Sequence, residues 1–117
     1  MTHLEKVTDL NNLVGSGKLM DAFEKYYHSD VVMQEVGEAA RVGKEINREY
    51  EIKFLEMIKE FHGFGVTTIA ADEANNKTVV ESWMDVTLKN DTRVKMEQVA
   101  VQTWDGDHIT NETFYHK

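Results

Sequence analysis

The sequence predicts an α+β fold, in which helices in the first half of the chain pack on a curved antiparallel sheet formed by the second half. Two patterns support this division. Up to residue 61, apolar residues recur mainly at spacings of three and four, as on one face of a helix. Beyond Gly63 and Gly65 they alternate with polar residues, as in strands. The 117 residues, 41% of them hydrophobic, can build one core, so we expect a single domain over residues 1–117.

The helices are predicted from this spacing and from the glycines that end them. A first helix is expected over residues 2–14 and a second over residues 18–27, with the turn Gly15-Ser16-Gly17 between them. Val31-Val32-Met33 is a short β-branched run, which predicts a short strand followed by a loop. Residues 45–61 carry the longest helical stripe, and its apolar face requires another element to cover it.

Four strands are predicted after this helix, over residues 66–72, 78–89, 93–104 and 108–116. The segments between them are short and rich in Asn, Asp and Gly, which is typical of turns between antiparallel neighbours, so we expect a meander. The two long strands carry apolar residues on both faces. Since one small chain has no second layer to cover the outer face, we expect a homodimer formed through the sheet.

Composition excludes several kinds of partner and site. A net charge of -8 argues against nucleic acid, which requires clustered basic residues. There is no Cys, and the five His are scattered without metal-ligand spacing, so we expect neither a metal nor another cofactor. No apolar stretch is long enough for a membrane span, and the charged N-terminal segment does not resemble a signal peptide. We therefore expect a soluble cytoplasmic protein with no membrane partner.

A pocket is expected where the helices meet the bent sheet, because this arrangement leaves a cone with an open mouth, a usual place for a small organic molecule. Glu35 follows the first short strand, near the expected rim. A carboxyl group with apolar neighbours has a raised pKa and can serve as a general base. The alternative is that Glu35 is a solvated loop residue.

Further candidates share strand faces by alternation. They are Trp83 and Asp85 on one strand, Gln98, Gln102 and Trp104 on the next, and Glu112, Phe114 and His116 on the last. An acid–base pair drawn from Asp85, Glu112 and His116 is one hypothesis, since neighbouring strands bring such side chains within reach.

Alternation also permits the opposite register of the first long strand. In that register Met84, Val86 and Leu88 point inward, and Asp85 points to solvent. Independently of the register, Trp83 and Trp104 could serve the protein core as readily as a ligand.

Three segments together resemble a known family. They are residues 27–35 (YHSDVVMQE), Val42-Gly43-Lys44-Glu45 before the long helix, and Trp104-Asp105-Gly106-Asp107-His108-Ile109 before the final strand. Their order and spacing resemble the SnoaL-like branch of the nuclear transport factor 2 superfamily over almost the whole chain.

The resemblance implies a cone-shaped α+β barrel, commonly dimeric through its sheet, with a pocket used by isomerases, polyketide cyclases, dehydratases and epoxide hydrolases. It places the general-base carboxylate of the ketosteroid isomerases on Glu35 and their two oxyanion donors on Leu10 and Ala100, neither of which can donate from its side chain. It also implies that all the strand candidates, Trp83 and Asp85 included, point inward.

Two kinds of function follow from these patterns. The first is an enzyme in which Glu35, or His116 with Asp85 or Glu112, moves a proton beside a carbonyl group in isomerisation, cyclisation or dehydration. The alternative is a non-catalytic ligand-binding or dimeric association domain. A titrating carboxyl group inside the cavity would distinguish the first from the second.

Overall fold

The computed structural model describes residues 1–117. In chain order its elements are α1 (His3–Gly15), α2 (Leu19–Tyr26), β1 (Tyr27–Glu35), β2 (Arg41–Val42), α3 (Lys44–Glu56), β3 (Ile58–Asp72), a short 3-10 helix (Glu73–Asn75), β4 (Lys77–Leu88), β5 (Arg93–Asp105) and β6 (His108–His116). The predicted α+β class is confirmed, with the helices packed on one open, curved six-stranded sheet.

The strands lie in the order β2-β1-β6-β5-β4-β3. Strands β3 to β6 form the predicted meander, in which every neighbouring pair is antiparallel. The prediction of a wholly antiparallel sheet is wrong at one place, because β1 pairs with β6 in parallel. These two strands are far apart in the sequence, so local turn patterns carry no sign of their pairing.

The third helix is shorter than predicted. It ends at Glu56, and the residues expected to form its last turns begin β3, where Ile58 pairs with Leu88 and Phe61 with Val86. Its apolar stripe is also less covered than expected, since Ile46 and Tyr50 are exposed and Asn47 is its only fully buried residue. None of the three helices is long and apolar enough to cross a membrane.

The core lies between the helical hairpin and the inner face of the sheet. Its largest side chains come from α2, β1 and β5, the last of which contributes Trp104, and α1 adds Val7 and Leu10. Helix α1 begins with a capping box formed by Thr2 and Glu5, which satisfies free amides of its first turn. Helix α1 packs against β3 and β4, α2 against β1 and β6, and α3 against β1 and β3.

Candidate functional site

The inner face of the sheet carries a buried polar patch as well as the core. Burial alternates along β4 and β5 and assigns Thr78, Ser82 and Gln102 to the inner face. Strand pairing extends this face across the sheet, because Gln102 pairs with Glu112 and Gln98 pairs with His116. Side chains of paired residues point to the same side of a sheet.

The structure corrects the expected direction of Trp83 and Asp85, which lie on the outer face of the sheet. The indole of Trp83 covers Gly63 and Gly65 on β3, where a Cβ atom would approach its ring too closely. Asp85 forms a paired hydrogen bond with Arg93 at 2.9 and 3.1 Å. The opposite register, with Met84 and Val86 inward, is therefore the one that β4 adopts.

The polar patch is a continuous chain of hydrogen bonds across four strands. The indole Nε1 of Trp104 donates to Thr78 Oγ1 at 2.8 Å, and Thr78 Oγ1 donates to Gln102 Oε1 at 2.7 Å. Gln102 Nε2 then donates to Glu112 Oε2 at 2.8 Å, and Tyr27 Oη donates to Glu112 Oε1 at 2.5 Å. Since indole can only donate, the direction of the chain is fixed, and every donor points towards Glu112.

Glu112 is consequently a buried carboxyl group with both oxygens occupied as acceptors. Burial raises the pKa of Glu112 to about 7, although the hydrogen bonds from Tyr27 and Gln102 lower it by favouring the charged form. Burial, followed by the charge of Glu112, raises the pKa of Tyr27 well above its usual value. Glu112 therefore changes its proton near neutral pH, while Tyr27 remains a donor.

A second carboxyl group with a raised pKa, Glu51, comes from α3. Burial of its carboxyl raises the pKa of Glu51 to about 7, and the charge of Glu112 adds to this effect. The charge of Arg41 acts in the opposite direction on both Glu51 and Glu112. The two carboxyl groups therefore form a coupled pair, in which ionising one makes it harder to ionise the other.

Glu35 lies on the same face, at the end of β1. It pairs with Phe114 on β6, and its carboxylate accepts a hydrogen bond from Arg41 Nη1 at 2.5 Å, with both side chains 14% exposed. His116 Nε2 lies 3.8 Å from Glu35 Oε1, at the more exposed rim. The structure thus brings Glu35, His116 and Glu112 to one face, with Glu35 engaged in an ion pair.

The positions that the resemblance assigns to oxyanion donors are part of the core. Leu10 and Ala100 are 6% and 5% exposed, and neither offers a side-chain donor. No group of three or more His, Asp or Glu side chains is arranged to hold a metal ion.

An apolar groove lies between the helical hairpin, the end of α3 and the start of β3. It has a volume of about 190 Å³, and its apolar walls are formed by Val14, Leu19, Met20, Leu55, Ile58, Phe61 and Met84. None of the polar residues described above lines it. Helix α3 contributes to both regions, because Glu51 and Leu55 are four residues apart and so lie on the same side of the helix.

Comparison with known proteins identifies the family. The model of the SnoaL-like domain matches residues 1–116. The chain belongs to this SnoaL-like family. SnoaL-like proteins are small-molecule-binding isomerase-like and cyclase-like proteins. A comparison with curated proteins gives no match.

Solved structures share the SnoaL-like fold of this chain. A proposed SnoaL-like polyketide cyclase from Mesorhizobium loti is 29% identical, with a TM-score of 0.83 over 98% of this chain and 99% of that chain. A proposed isomerase from Bacillus subtilis is 13% identical, with a TM-score of 0.84 over 100% and 90%. SalBIII, an epoxide hydrolase/cyclase-like enzyme of pyran ring formation in the polyether salinomycin, is 21% identical, with a TM-score of 0.81 over 98% and 90%.

Four polar residues of this SnoaL-like site were not among the candidates from sequence. In the sequence, Glu51 lies in a charged helix, Arg41 lies in the segment predicted as a loop, Tyr27 ends the predicted second helix, and Thr78 is a common strand residue. One signal points to Thr78: it pairs with Gln102, which pairs in turn with Glu112, and a buried polar residue there needs a hydrogen-bond partner. The others are brought together only by the pairing of β1 with β6 and by the seating of α3.

Proposed function

We propose that the protein catalyses proton transfer on a small organic molecule, in an isomerisation, cyclisation or dehydration. The observation that carries this proposal is the buried carboxyl group of Glu112, which has a pKa of about 7 and is held on both oxygens. A general acid or base is most effective when its pKa lies near the working pH. Membership of the SnoaL-like family supports the same class of function.

Glu51 and Glu112 are the proposed acid–base pair. Both carboxyl groups have a pKa raised to about 7, so near neutral pH one can hold a proton while the other is ionised, as an acid–base pair requires. Glu51 is the better candidate for direct contact with a ligand, because it makes no hydrogen bond, whereas Glu112 is saturated. Burial raises the pKa of Glu51 most, and the charge of Glu112 raises it further.

Glu35 and His116 complete the proposed site at its rim. His116 is close enough to Glu35 for a weak ion pair when its ring is protonated. Gln98, Gln102, Trp104 and Phe114 are proposed as the walls of the ligand site, since all four lie on the inner face. Gln102 and Trp104 act on a ligand indirectly, because their polar atoms are engaged in the buried chain.

The apolar groove is the proposed entrance for the hydrocarbon part of the ligand. Its volume of about 190 Å³ is below the roughly 300–1,000 Å³ of sites for drug-sized ligands, which favours a small, compact substrate. Leu55 and Phe61 at its edge are 38% and 50% exposed, so apolar side chains reach the surface there, next to Lys18 and Asp21. A ligand that enters here would meet Glu51, which lies one helical turn before Leu55 on α3.

The second candidate function is a non-catalytic association domain, and the outer face of the sheet favours it. Val79, Val99, Val101 and the exposed Tyr115 form an apolar strip there, beside Trp83. We propose that a second copy covers this strip and forms a homodimer through the sheet. Light scattering of the wild-type chain and of Val99→Glu tests this: a dimer that becomes monomeric supports it, and a wild-type monomer overturns it.

Proton transfer at carbon is tested by hydrogen–deuterium exchange. The chain is incubated in D₂O with small cyclic ketones, hydroxy acids and aromatic polyketides, and exchange at carbon is followed by NMR and mass spectrometry. Catalysed exchange that falls at least ~100-fold in Glu51→Gln and Glu112→Gln supports the proposal. The matched control is Glu49→Gln, an exposed position on the same helix, which should retain activity. Exchange that is unaffected by both site variants contradicts it.

A further inference from the structure

Arg41 is held in a fixed orientation beside the proposed site. Its Nε donates to Asn47 Oδ1 at 3.1 Å, and its Nη1 donates to Glu35 Oε2 at 2.5 Å. Its guanidinium carbon lies 3.6 Å from the centre of the Tyr50 ring, which is a cation–π contact. Asn47 is itself locked by donating to the backbone carbonyls of Arg41 and Gly43.

One nitrogen of this guanidinium has no partner. Nη2 of Arg41 is buried and makes no hydrogen bond, although the rest of the side chain is fully engaged. A buried donor without an acceptor is costly, so such a group calls for a functional or structural explanation. Because the other contacts fix the planar fork, Nη2 cannot turn to find an acceptor elsewhere.

The carboxyl group of Glu51, on α3, has no hydrogen-bond or ion-pair partner. No ion pair within 4.0 Å joins Arg41 to Glu51 or Glu112, and Glu51 makes no hydrogen bond. The charge of Arg41 nevertheless acts on both carboxyl groups, so they lie within electrostatic range. Arg41 on β2 and Glu51 on α3 are therefore within electrostatic range of each other, and each keeps a polar group without a hydrogen-bond partner.

The surrounding charges decide which ligand suits this donor. Glu35 on β1 already neutralises Arg41, while Glu51 on α3 and Glu112 on β6 add further acidic groups, with His116 at the rim. An anionic ligand would be repelled by these carboxylates, and a cationic ligand cannot accept a hydrogen bond from Nη2. An uncharged oxygen satisfies the donor without adding charge.

We propose that Arg41 Nη2 binds the carbonyl oxygen of an uncharged ligand, in the region between Arg41 and Glu51. This assignment deepens the proposed function and rests on it for the site, but it concerns recognition and not turnover. It places a hydrogen-bond donor near a reacting carbonyl group in a chain where Leu10 and Ala100 provide none. Arg41 is thereby a specificity residue that selects ketones, esters or lactones over acids and amines.

The test uses four probes that share a six-membered ring: cyclohexanone, methylenecyclohexane, cyclohexanecarboxylate and cyclohexylamine. Binding to the ¹⁵N-labelled wild-type chain is followed on the side-chain N–H signals of Arg41. We expect cyclohexanone to shift these signals in a saturable manner and the other three to leave them unchanged. A shift caused by the carboxylate or the amine, or none by cyclohexanone, overturns the proposal.

Variants give a second readout. Arg41→Lys keeps a positive charge beside Glu35 but loses the planar fork, and should weaken cyclohexanone binding roughly tenfold or more. The double variant Arg41→Gln/Glu35→Gln removes both charges together and should show the same loss, and Arg93→Gln on the outer face is the matched control. If a variant fails to fold, the wild-type signals decide alone.

The outcomes separate the two proposals. Binding that depends on Arg41 in a chain that never catalyses exchange at carbon supports the recognition site and contradicts the catalytic function. Catalysed exchange in a chain whose Arg41 signals never respond supports the function and overturns the recognition site.

Discussion

The stability of the fold should decrease as the pH rises from about 5 to about 8, because folding buries Glu112 and partly buries Glu51. In the unfolded chain these groups have the ordinary value of 4.5, and in the folded chain their pKa is raised to about 7. The folded state therefore holds their protons more tightly than the unfolded state. Their contribution is fully present below pH 4.5 and is lost as the pH rises through about 7.

The size of this loss follows from the shift. A rise from 4.5 to about 7 corresponds to about 3 kcal/mol of unfolding free energy for one isolated group. The two groups are coupled, so together they contribute less than twice this amount. Carboxylates with a lowered pKa, such as Glu24, affect stability only at more acidic pH and leave this window unchanged.

Urea unfolding followed by circular dichroism at several pH values measures the effect. Glu112→Gln keeps the shape of the side chain, and its amide can accept from Gln102 and donate to Tyr27, so the network survives. In this variant the decrease in unfolding free energy with rising pH should be smaller by up to about 3 kcal/mol. The variant should therefore be more stable than wild type above neutral pH. Glu49→Gln, which changes an exposed residue, should keep the wild-type profile. The reasoning is refuted by a wild-type stability that is flat or increases with pH over this range.

Three further substitutions test the structure directly. Thr78→Val leaves the buried indole N–H of Trp104 without an acceptor and should cost about 1–3 kcal/mol in urea unfolding, whereas Thr78→Ser, which keeps the hydroxyl, should cost much less. Gly65→Ala would place a Cβ atom 2.6 Å from Cε2 of Trp83 and should destabilise the fold by about 1–3 kcal/mol. Gly63→Ala should cost less, because its Cβ would lie 3.2 Å from Cη2 of the same ring. Equal effects of the two substitutions would contradict the outward position of the indole. Tyr27→Phe removes a hydrogen-bond donor to Glu112, so ¹³C NMR should show the pKa of Glu112 rising further. An unchanged pKa of Glu112 would exclude this hydrogen bond.

The order of elements was predictable where the signal is local. Glycines and Asn/Asp turns divide the chain into helices and strands, and the meander follows from them. The end of α3 was not predictable in this way, because Ile58 and Phe61 continue the helical spacing. Their pairing with Leu88 and Val86 overrides that local preference.

The candidate site was predictable only in part, for a similar reason. Alternation brings Gln102 and Glu112 to one face once the hairpin between their strands is assigned. It could not orient β4, which carries apolar residues on both faces. What distinguishes the two faces is the pair of glycines on β3, since only residues without a Cβ leave room for the Trp83 indole. Partners contributed by α3 and β2 depend on tertiary packing and leave no mark in the pattern.

The position of β6 between β1 and β5 constrains how the protein can be made. During synthesis β1 and β5 emerge before the strand that joins them, so the nascent chain carries two open sheet edges until β6 docks. Glu112 also arrives with that strand, so one of the two carboxyl groups with a raised pKa is missing until the sheet is joined. A ribosome-bound or truncated chain that stops before His108 should therefore aggregate instead of forming a smaller folded unit. The pairing of β6 with β1 and β5 would then complete both the sheet and the proposed proton-transfer site in one step.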